Sequence, residues 1–192
     1  IISFIGKLNS SKGYDIFGEA IIKILNKYKD WSSIVIGDEP RQKFYFKHKN
    51  LNHLGFKNND FILNKLKEVS ISVVPSRWDE PFGRSSMEAA SRGCALITSN
   101  TGGLRETTKF SLVLKNLNSK TLYSKIEYLI KNKKIRNKLQ KQAYENFDLT
   151  NINSTKKIDK LRKSILNKEI NINLNTKKTL KIIHITNLNE RF

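Results

Sequence analysis

The feature that most constrains the fold is a continuous strand, loop, helix and strand pattern that occupies residues 75–103 and the four residues before them. Residues 71–74 form an apolar run typical of a buried strand, and the loop that follows contains proline and glycine. Residues 85–92 favour a helix, Gly93 stands where a C-terminal helix cap belongs, and residues 95–98 are apolar again. Strands joined through a helix form a right-handed βαβ crossover, so this stretch predicts a parallel sheet.

The same alternation repeats along most of the chain. Strand-like runs occupy residues 2–5, 34–36, 51–56, 71–74, 95–98 and 112–114, and the run at 51–56 has the character of an edge strand. Helical patterns occupy residues 14–28, 41–49, 60–69, 119–130 and 135–147. This alternation predicts an α/β fold, a doubly wound parallel sheet of the Rossmann-like type.

The chain changes character near residue 150. We expect an α/β domain over residues 1–150, a C-terminal helix over 151–168, a polar linker over 169–178 and, at 179–192, the first strand of a truncated further domain. The only methionine is Met87, so residue 1 is not an initiator. We therefore expect the sequence to be part of a longer protein.

One candidate site lies in the loop and helix start that follow residues 71–74. The unpaired backbone amides around Ser85 and Ser86, together with the helix dipole, suit a phosphate group. Glu80 and Glu88 bracket this turn, and a helix would separate them by roughly 12 Å. A retaining glycosidase needs its two carboxylates about 5 Å apart. Two different roles for these glutamates are therefore predicted.

A second candidate site is the loop between the strand at residues 2–5 and the next helix. It carries Lys7 and Lys12, and two ammonium groups at such a loop can meet a diphosphate from one side. The loop matches neither the GxxxxGK[ST] nor the GxGxxG phosphate-binding pattern. In a chain this rich in lysine, the alternative is an ordinary solvated loop.

The net charge of +19, from 36 Lys and Arg against 17 Asp and Glu, raises the question of a nucleic-acid partner. Lysine, asparagine and isoleucine are frequent throughout, which indicates a compositional bias rather than a dedicated patch. No segment interleaves aromatic residues with arginine as a stacking platform does. We expect no nucleic-acid binding, but some attraction to anionic membrane surfaces or polyphosphate ligands.

The sequence also indicates in which compartment the protein folds and whether it binds a metal. A single cysteine, Cys94, provides no disulfide framework and suits a reducing compartment. The sequence has neither an apolar run of transmembrane length nor a signal-peptide pattern. His48 and His53 lack suitably spaced partners, so no metal site is predicted. We expect a cytoplasmic protein, in peripheral contact with the inner face of the membrane.

The loop motifs together resemble one known family. They are Gly-Lys-Leu at 6–8, Lys-Gly at 12–13, Ile-Gly-Asp at 36–38, Leu-Gly-Phe at 54–56, Pro-Ser at 75–76, Glu-Pro-Phe-Gly at 80–83, Glu-Ala at 88–89 and Gly-Gly-Leu-x-Glu at 102–106. Over residues 2–147 this pattern resembles the donor-binding C-terminal half of retaining glycosyltransferases of family four, which have the GT-B architecture. The Glu-x7-Glu motif at Glu80 and Glu88 is its most specific part.

The resemblance implies a nucleoside-diphosphate sugar as donor, with UDP, GDP or ADP as the nucleotide. Glu88 would accept hydrogen bonds from the two ribose hydroxyls. The backbone amides of Ser85 and Ser86 would hold the diphosphate. Lys7 and Lys12 would neutralise the charge that grows on the diphosphate as the sugar leaves.

The resemblance also implies contacts for the sugar and the base. Glu80, with backbone groups of Phe82 and Gly83, would bind the sugar hydroxyls and orient the anomeric carbon. The remaining nucleotide contacts would come from Gly6, Gly37, Gly55, Phe56 and Lys57.

Two residues depart from the family pattern. Lys7 replaces the usual arginine, which keeps the charge and loses the bidentate fork. Arg84 stands where the family often has an aliphatic residue, and it would contact either the diphosphate or the acceptor.

The implied reaction retains the anomeric configuration and needs no cofactor or metal. The acceptor, a glycan or a lipid-linked sugar, would be brought by an N-terminal domain missing from this sequence, so the isolated chain would turn over poorly or not at all. One alternative is a GT-B nucleotide-sugar epimerase, which would require acid/base carboxylates or histidines at this sheet edge. Another is a non-catalytic nucleotide-sugar-binding module of a multidomain protein.

Overall fold

In a computed structural model, which describes residues 1–169, six parallel strands form one sheet. The strands are β1 (Ile2–Ile5), β2 (Ser33–Ile36), β3 (Leu51–His53), β4 (Ile71–Val74), β5 (Ala95–Thr98) and β6 (Ser111–Val113). Their order is β3-β2-β1-β4-β5-β6, with every pair parallel. The predicted doubly wound sheet is confirmed. The strand order reverses between β1 and β4, which is where open α/β sheets bind ligands.

Helices cover both faces of the sheet. They are α1 (Tyr14–Lys27), α2 (Asn59–Leu66), α3 (Arg84–Ser91), α4 (Leu104–Thr107), α5 (Ser119–Lys131) and α6 (Lys133–Glu145). The core on one face contains α1 and α5, and the core on the other contains α2, α3 and α6. Val35 of β2 belongs to the first core, whereas its neighbours Ile34 and Ile36 belong to the second. This two-sided burial explains why the four central strands, β1, β2, β4 and β5, are mainly apolar.

Residues 1–149 form one compact unit, and a second unit begins at Thr150 with helix α7 (Asn151–Glu169). Apart from Glu169, which ends α7, the predicted linker at 169–178 and strand at 179–192 lie outside the described residues. Within the described part of the chain, the helices are too short or too polar to cross a lipid bilayer.

The predicted helix at residues 41–49 is wrong, because residues 43–48 have no regular secondary structure. The rings of Phe44 and Phe46 stack with centroids 6.3 Å apart, and both contact Tyr14 edge-on. The intervening Tyr45 is 79% exposed. Side chains that alternate in this way have the period of an extended chain, so burial of two aromatic rings against Tyr14 outweighs the helical preference.

Several element boundaries also differ from those predicted. Helix α2 ends at Leu66, whereas the pattern predicted residue 69. Strand β3 ends at His53, so residues 54–56 belong to the following loop. The glycine-rich turn after β5 leads directly into the one-turn helix α4. None of these differences changes the sheet edge at which the site lies.

Candidate functional site

A cleft of about 430 Å³ opens where the strand order reverses. Its apolar floor includes Phe4 and Ile5 of β1 and Val73 and Val74 of β4. Most of the predicted site residues line it, namely Gly6, Lys7, Lys12, Phe56, Lys57, Glu80, Arg84, Ser85 and Glu88. The fold therefore brings together residues from the loops after β1, β3 and β4.

Lys12 and Glu80 form an ion pair on one side of the cleft. Lys12 Nζ lies 2.5 Å from Glu80 Oε1, and Ser76 Oγ donates a hydrogen bond to the same oxygen over 3.0 Å. The two side chains are 29% and 14% exposed, so water screens this pair less than it would a surface pair. We call these three residues the Lys12–Glu80 corner. In this corner, protein groups alone hold the Glu80 carboxylate in place.

The loop that carries Lys12 is fixed at two points. Asn9 Oδ1 accepts a hydrogen bond from the Lys12 backbone N–H, and Asn9 Nδ2 donates to Glu39 Oε2. Hydrogen bonds from the Arg41 guanidinium lower the pKa of Glu39 to about 2, which keeps this anchor charged. Gly13 has φ +72°, and a Cβ there would lie 2.1 Å from the carbonyl oxygen of Pro75. Only glycine permits this close approach to the end of β4.

The loop that carries Glu80 is held by the turn after β5. Gly102 has φ +49°, and a Cβ there would lie 2.4 Å from the Glu80 carbonyl oxygen. The Gly103 N–H donates a hydrogen bond to that oxygen over 2.6 Å, and Thr101 Oγ1 donates to the Ser76 carbonyl over 3.2 Å. The glycine pair therefore positions Glu80 from a distant part of the sequence.

Glu88 faces the cleft from the second turn of α3. The residue is 9% exposed, and its Oε1 lies 3.5 Å from Arg84 Nη2. Burial raises the pKa of Glu88, and the Arg84 guanidinium opposes that rise. We call this pair the Arg84–Glu88 corner. Its contact is longer than that between Lys12 and Glu80, and its cation is 75% exposed.

The start of α3 lies between the two corners. Gly83 adopts a left-handed conformation at the N-cap, with φ 73° and no side-chain cap, and Arg84 and Ser85 of the first turn line the cleft. Backbone amides in the first turn of a helix lack helical partners and attract anions. A negatively charged group placed here would meet both amides and cations.

Five predicted site residues do not line the cleft, namely Gly37, Gly55, Phe82, Gly83 and Ser86. Ser86 is fully buried, and its hydroxyl donates to the Gly83 carbonyl over 2.7 Å. The Gly37 N–H donates to the Gly55 carbonyl over 2.9 Å, which joins the loops after β2 and β3. These residues shape the backbone around the cleft. Phe82 is 45% exposed beside the start of α3.

Asn58 and Asn59 were not predicted as site residues, and Ser76 was noted only as part of the Pro-Ser motif, yet all three line the cleft. Asn58 caps α2, and its side chain accepts the Phe61 N–H over 3.0 Å. Asparagine directly before a helical pattern is an N-cap signal that could have identified it. Ser76 gave no such signal, because its partner Glu80 is fixed by the fold of the loop.

Comparison with known proteins places this geometry in a family. The family model described as "Glycosyl transferases group 1" matches residues 1–146. The chain belongs to this family. The C-terminal domain of a group 1 glycosyltransferase from Francisella tularensis is 27% identical, with a TM-score of 0.66, over 75% of this chain and 81% of that one. Anabaena HepE in complex with UDP has a TM-score of 0.67 at 21% identity, over 85% of this chain and 48% of that one, and shows the fold alone.

Curated relatives align with part of the chain. An uncharacterized protein from the cps region of Klebsiella pneumoniae is 33% identical over 60% of this chain and 30% of its own length. The 2-deoxystreptamine N-acetyl-D-glucosaminyltransferase of Niallia circulans is 30% identical over 53% of this chain and 28% of its own length. The chain thus spans less than a third of these proteins. With its GT-B neighbours it shares one Rossmann-like half of that architecture.

Proposed function

We propose that the cleft binds a nucleoside-diphosphate sugar, as the donor half of a retaining family-four glycosyltransferase that transfers the sugar to a glycan or lipid-linked acceptor. One observation carries the proposal: the Lys12–Glu80 corner and the Arg84–Glu88 corner border one cleft, with the start of α3 between them. A donor of this class has a ribose, a diphosphate and a sugar. The cleft offers a group suited to each.

The diphosphate would lie at the start of α3. The first-turn amides and the helix dipole favour an anion there, and Lys7 and Lys12 add positive charge from the loop after β1. When the bond between the anomeric carbon and the phosphate oxygen breaks, negative charge grows on the leaving diphosphate. Cations already in place stabilise that charge without reorganisation.

The ribose would bind at Glu88. An ionised carboxylate is an acceptor only, and its two oxygens can receive both ribose hydroxyls. Burial of Glu88 reduces competition from water, so each of these hydrogen bonds contributes more than it would on an open surface. The apolar floor beneath suits the nucleoside.

The sugar would bind at Glu80. Lys12 and Ser76 hold one of its oxygens, which suits a fixed acceptor of hydrogen bonds from sugar hydroxyls better than a mobile nucleophile. Retention would then follow from attack by the acceptor on the face from which the diphosphate leaves, with a phosphate oxygen receiving the acceptor proton. In this scheme Glu80 orients the anomeric carbon.

The family match supports the proposal, and a neighbour of the same fold has been solved with ligands of this class. Anabaena HepE has been solved with UDP, with UDP-glucose, and with UDP and glucose. We extend a nucleotide-sugar donor to this chain because the residues that line its cleft fit the parts of such a molecule. The acceptor would be supplied by a further domain of a longer protein.

Calorimetric titration with UDP, GDP and ADP tests the proposal. We expect one nucleotide to bind saturably, Glu88→Ala and Lys12→Ala to weaken it, and Lys23→Ala, an exposed control on α1, to leave it unchanged. Absence of saturable binding to all three would refute the donor site. In a longer protein that transfers sugar, Glu80→Ala should abolish transfer, and undiminished sugar release would remove Glu80 from the mechanism.

A further inference from the structure

The proposed contacts of the ribose, diphosphate and sugar use other residues, yet Arg84 also lines the cleft. It is the first residue of α3, and its Nη2 lies 3.5 Å from Glu88 Oε1, one helical turn further on. The arginine side chain is 75% exposed, whereas the glutamate side chain is 11% exposed. An exposed cation therefore reaches over a largely buried carboxylate.

Helix stability does not account for an arginine at this position. A cation in the first turn of a helix opposes the helix dipole, and the first turn of α3 has no acidic residue to offset it. A basic residue four positions before an acidic one is also the weaker orientation for a helical ion pair. The pair therefore contributes little to folding, which points to a role in the cleft.

The charges around Glu88 make Arg84 its main electrostatic partner. The other charged groups that line the cleft are Lys7 and Lys12 after β1, Lys57 before α2, and Glu80 after β4. Lys12 is already paired with Glu80. Among the described residues, only Arg84 forms an ion pair with Glu88. Burial raises the pKa of Glu88, and the Arg84 charge and hydrogen bond are what lower it again.

We propose that Arg84 is a positioning residue, which pairs with the Glu88 carboxylate and directs it into the cleft for the ribose hydroxyls of the donor. The inference rests on the proposed function, since it assigns Glu88 to the ribose. The guanidinium contacts one carboxylate oxygen at a distance beyond a short hydrogen bond, so both oxygens keep acceptor capacity. Ribose can bind without first displacing Arg84.

A double-mutant cycle separates this role from a direct contact with the diphosphate. The variants are Arg84→Leu, Glu88→Gln and their combination, titrated by calorimetry with whichever of UDP, GDP or ADP binds the wild type and with its 2′-deoxy form. We expect Arg84→Leu to weaken the ribonucleotide about threefold to tenfold and the 2′-deoxy form less. In the Glu88→Gln background, Arg84→Leu should cause no further loss of nucleotide affinity.

Matched variants test whether the loss of affinity in Arg84→Leu depends on the charge of Arg84 and on its position beside Glu88. Arg92→Leu removes the same charge from an exposed position at the other end of α3 and should leave binding unchanged. Arg84→Lys keeps a cation beside Glu88 and should retain most of the affinity. Arg84→Leu leaves the Glu88 carboxylate without its ionic partner, so a melting curve recorded at the pH of the titration checks that each variant is folded.

The pH profile gives an independent readout. Nucleotide binding that requires ionised Glu88 falls as pH drops through the pKa of that carboxyl, so loss of Arg84 should move the midpoint upward and Arg84→Lys should restore it. An unchanged midpoint, or equal losses with and without Glu88→Gln, would overturn the inference and indicate direct diphosphate binding. If the wild type bound none of the three nucleotides, the proposed function itself would fail.

Discussion

The two corners of the cleft use the same kinds of side chain in opposite ways. In the Lys12–Glu80 corner, a lysine and a serine hold one carboxylate oxygen at 2.5 and 3.0 Å, and both loops are fixed by close backbone contacts. In the Arg84–Glu88 corner, an exposed arginine reaches a largely buried carboxylate at 3.5 Å. The carboxylate oxygen of the first corner thus has two donors from the protein itself. In the second, Arg84 is the one ion-pair partner that the described residues give Glu88.

We infer from this difference that the Lys12–Glu80 corner holds groups in a fixed geometry, whereas the Arg84–Glu88 corner recognises the ligand. A group that must be in place when charge develops on a leaving diphosphate gains from being fixed in advance. A carboxylate that recognises ribose gains from a long contact to a single protein cation, because both of its oxygens can still accept hydrogen bonds from the ligand. The predictions below test each corner separately.

The largest effect is expected from Lys12→Ala. This change removes a cation from the diphosphate site and leaves Glu80 without its ionic partner, so two negative groups would face each other. Nucleoside-diphosphate affinity should fall about 30-fold or more, which corresponds to about 2 kcal/mol. Calorimetry measures it against Lys23→Ala as the control. A loss below threefold would mean that the corner does not bind phosphate.

An intermediate effect is expected from Gly13→Ala, which tests how the Lys12 loop is fixed. Gly13 and Gly55 both have positive φ, 72° and 67°, but a Cβ would strike Pro75 only at Gly13, since nothing lies within 4 Å at Gly55. Both variants bear the backbone strain, and Gly13→Ala adds overpacking. Urea unfolding should show Gly13→Ala to be less stable than Gly55→Ala by about 1–3 kcal/mol. Equal stabilities would mean that the loop moves freely away from β4.

The smallest effect concerns folding stability and Glu88. Because burial raises its folded-state pKa above the ordinary value of 4.5, ionisation of Glu88 opposes folding. Its contribution is therefore most favourable below pH 4.5 and is lost as pH rises through the folded-state pKa. Glu88→Gln should gain stability relative to the wild type between pH 4 and pH 7. A difference in unfolding free energy that is constant with pH would contradict this.

The sequence predicts the sheet well because each strand and its covering helix are local patterns. The apolar runs that became β1, β2 and β4 are buried on both faces, which leaves little choice of element. The prediction of a helix at 41–49 is wrong because Phe44 and Phe46 pack against Tyr14, which lies about 30 residues earlier in the chain. A local pattern contains no information about such a distant partner.

The candidate site shows the same limit. The residues that carry charge could be named from the sequence, but their pairing could not. Lys12 and Glu80 are 68 positions apart, and their contact depends on the close approach of Gly13 to Pro75 and of Gly102 to Glu80. Glycines at turns are visible in a sequence, whereas the backbone that each one touches is not. The hydrogen bond from Ser76 to Glu80 could not be predicted for the same reason.

The most direct test of the two-corner account is one calorimetric comparison of three ligands: a nucleoside diphosphate, its monophosphate and its 2′-deoxy form. We expect each variant to lose one ligand preference and to keep the other. Lys12→Ala should lose most of the preference for diphosphate over monophosphate and keep the preference for ribose, whereas Glu88→Gln should lose the preference for ribose and keep that for diphosphate. If both variants weakened all three ligands by the same factor, the two corners would not have separate roles, and the account would be contradicted.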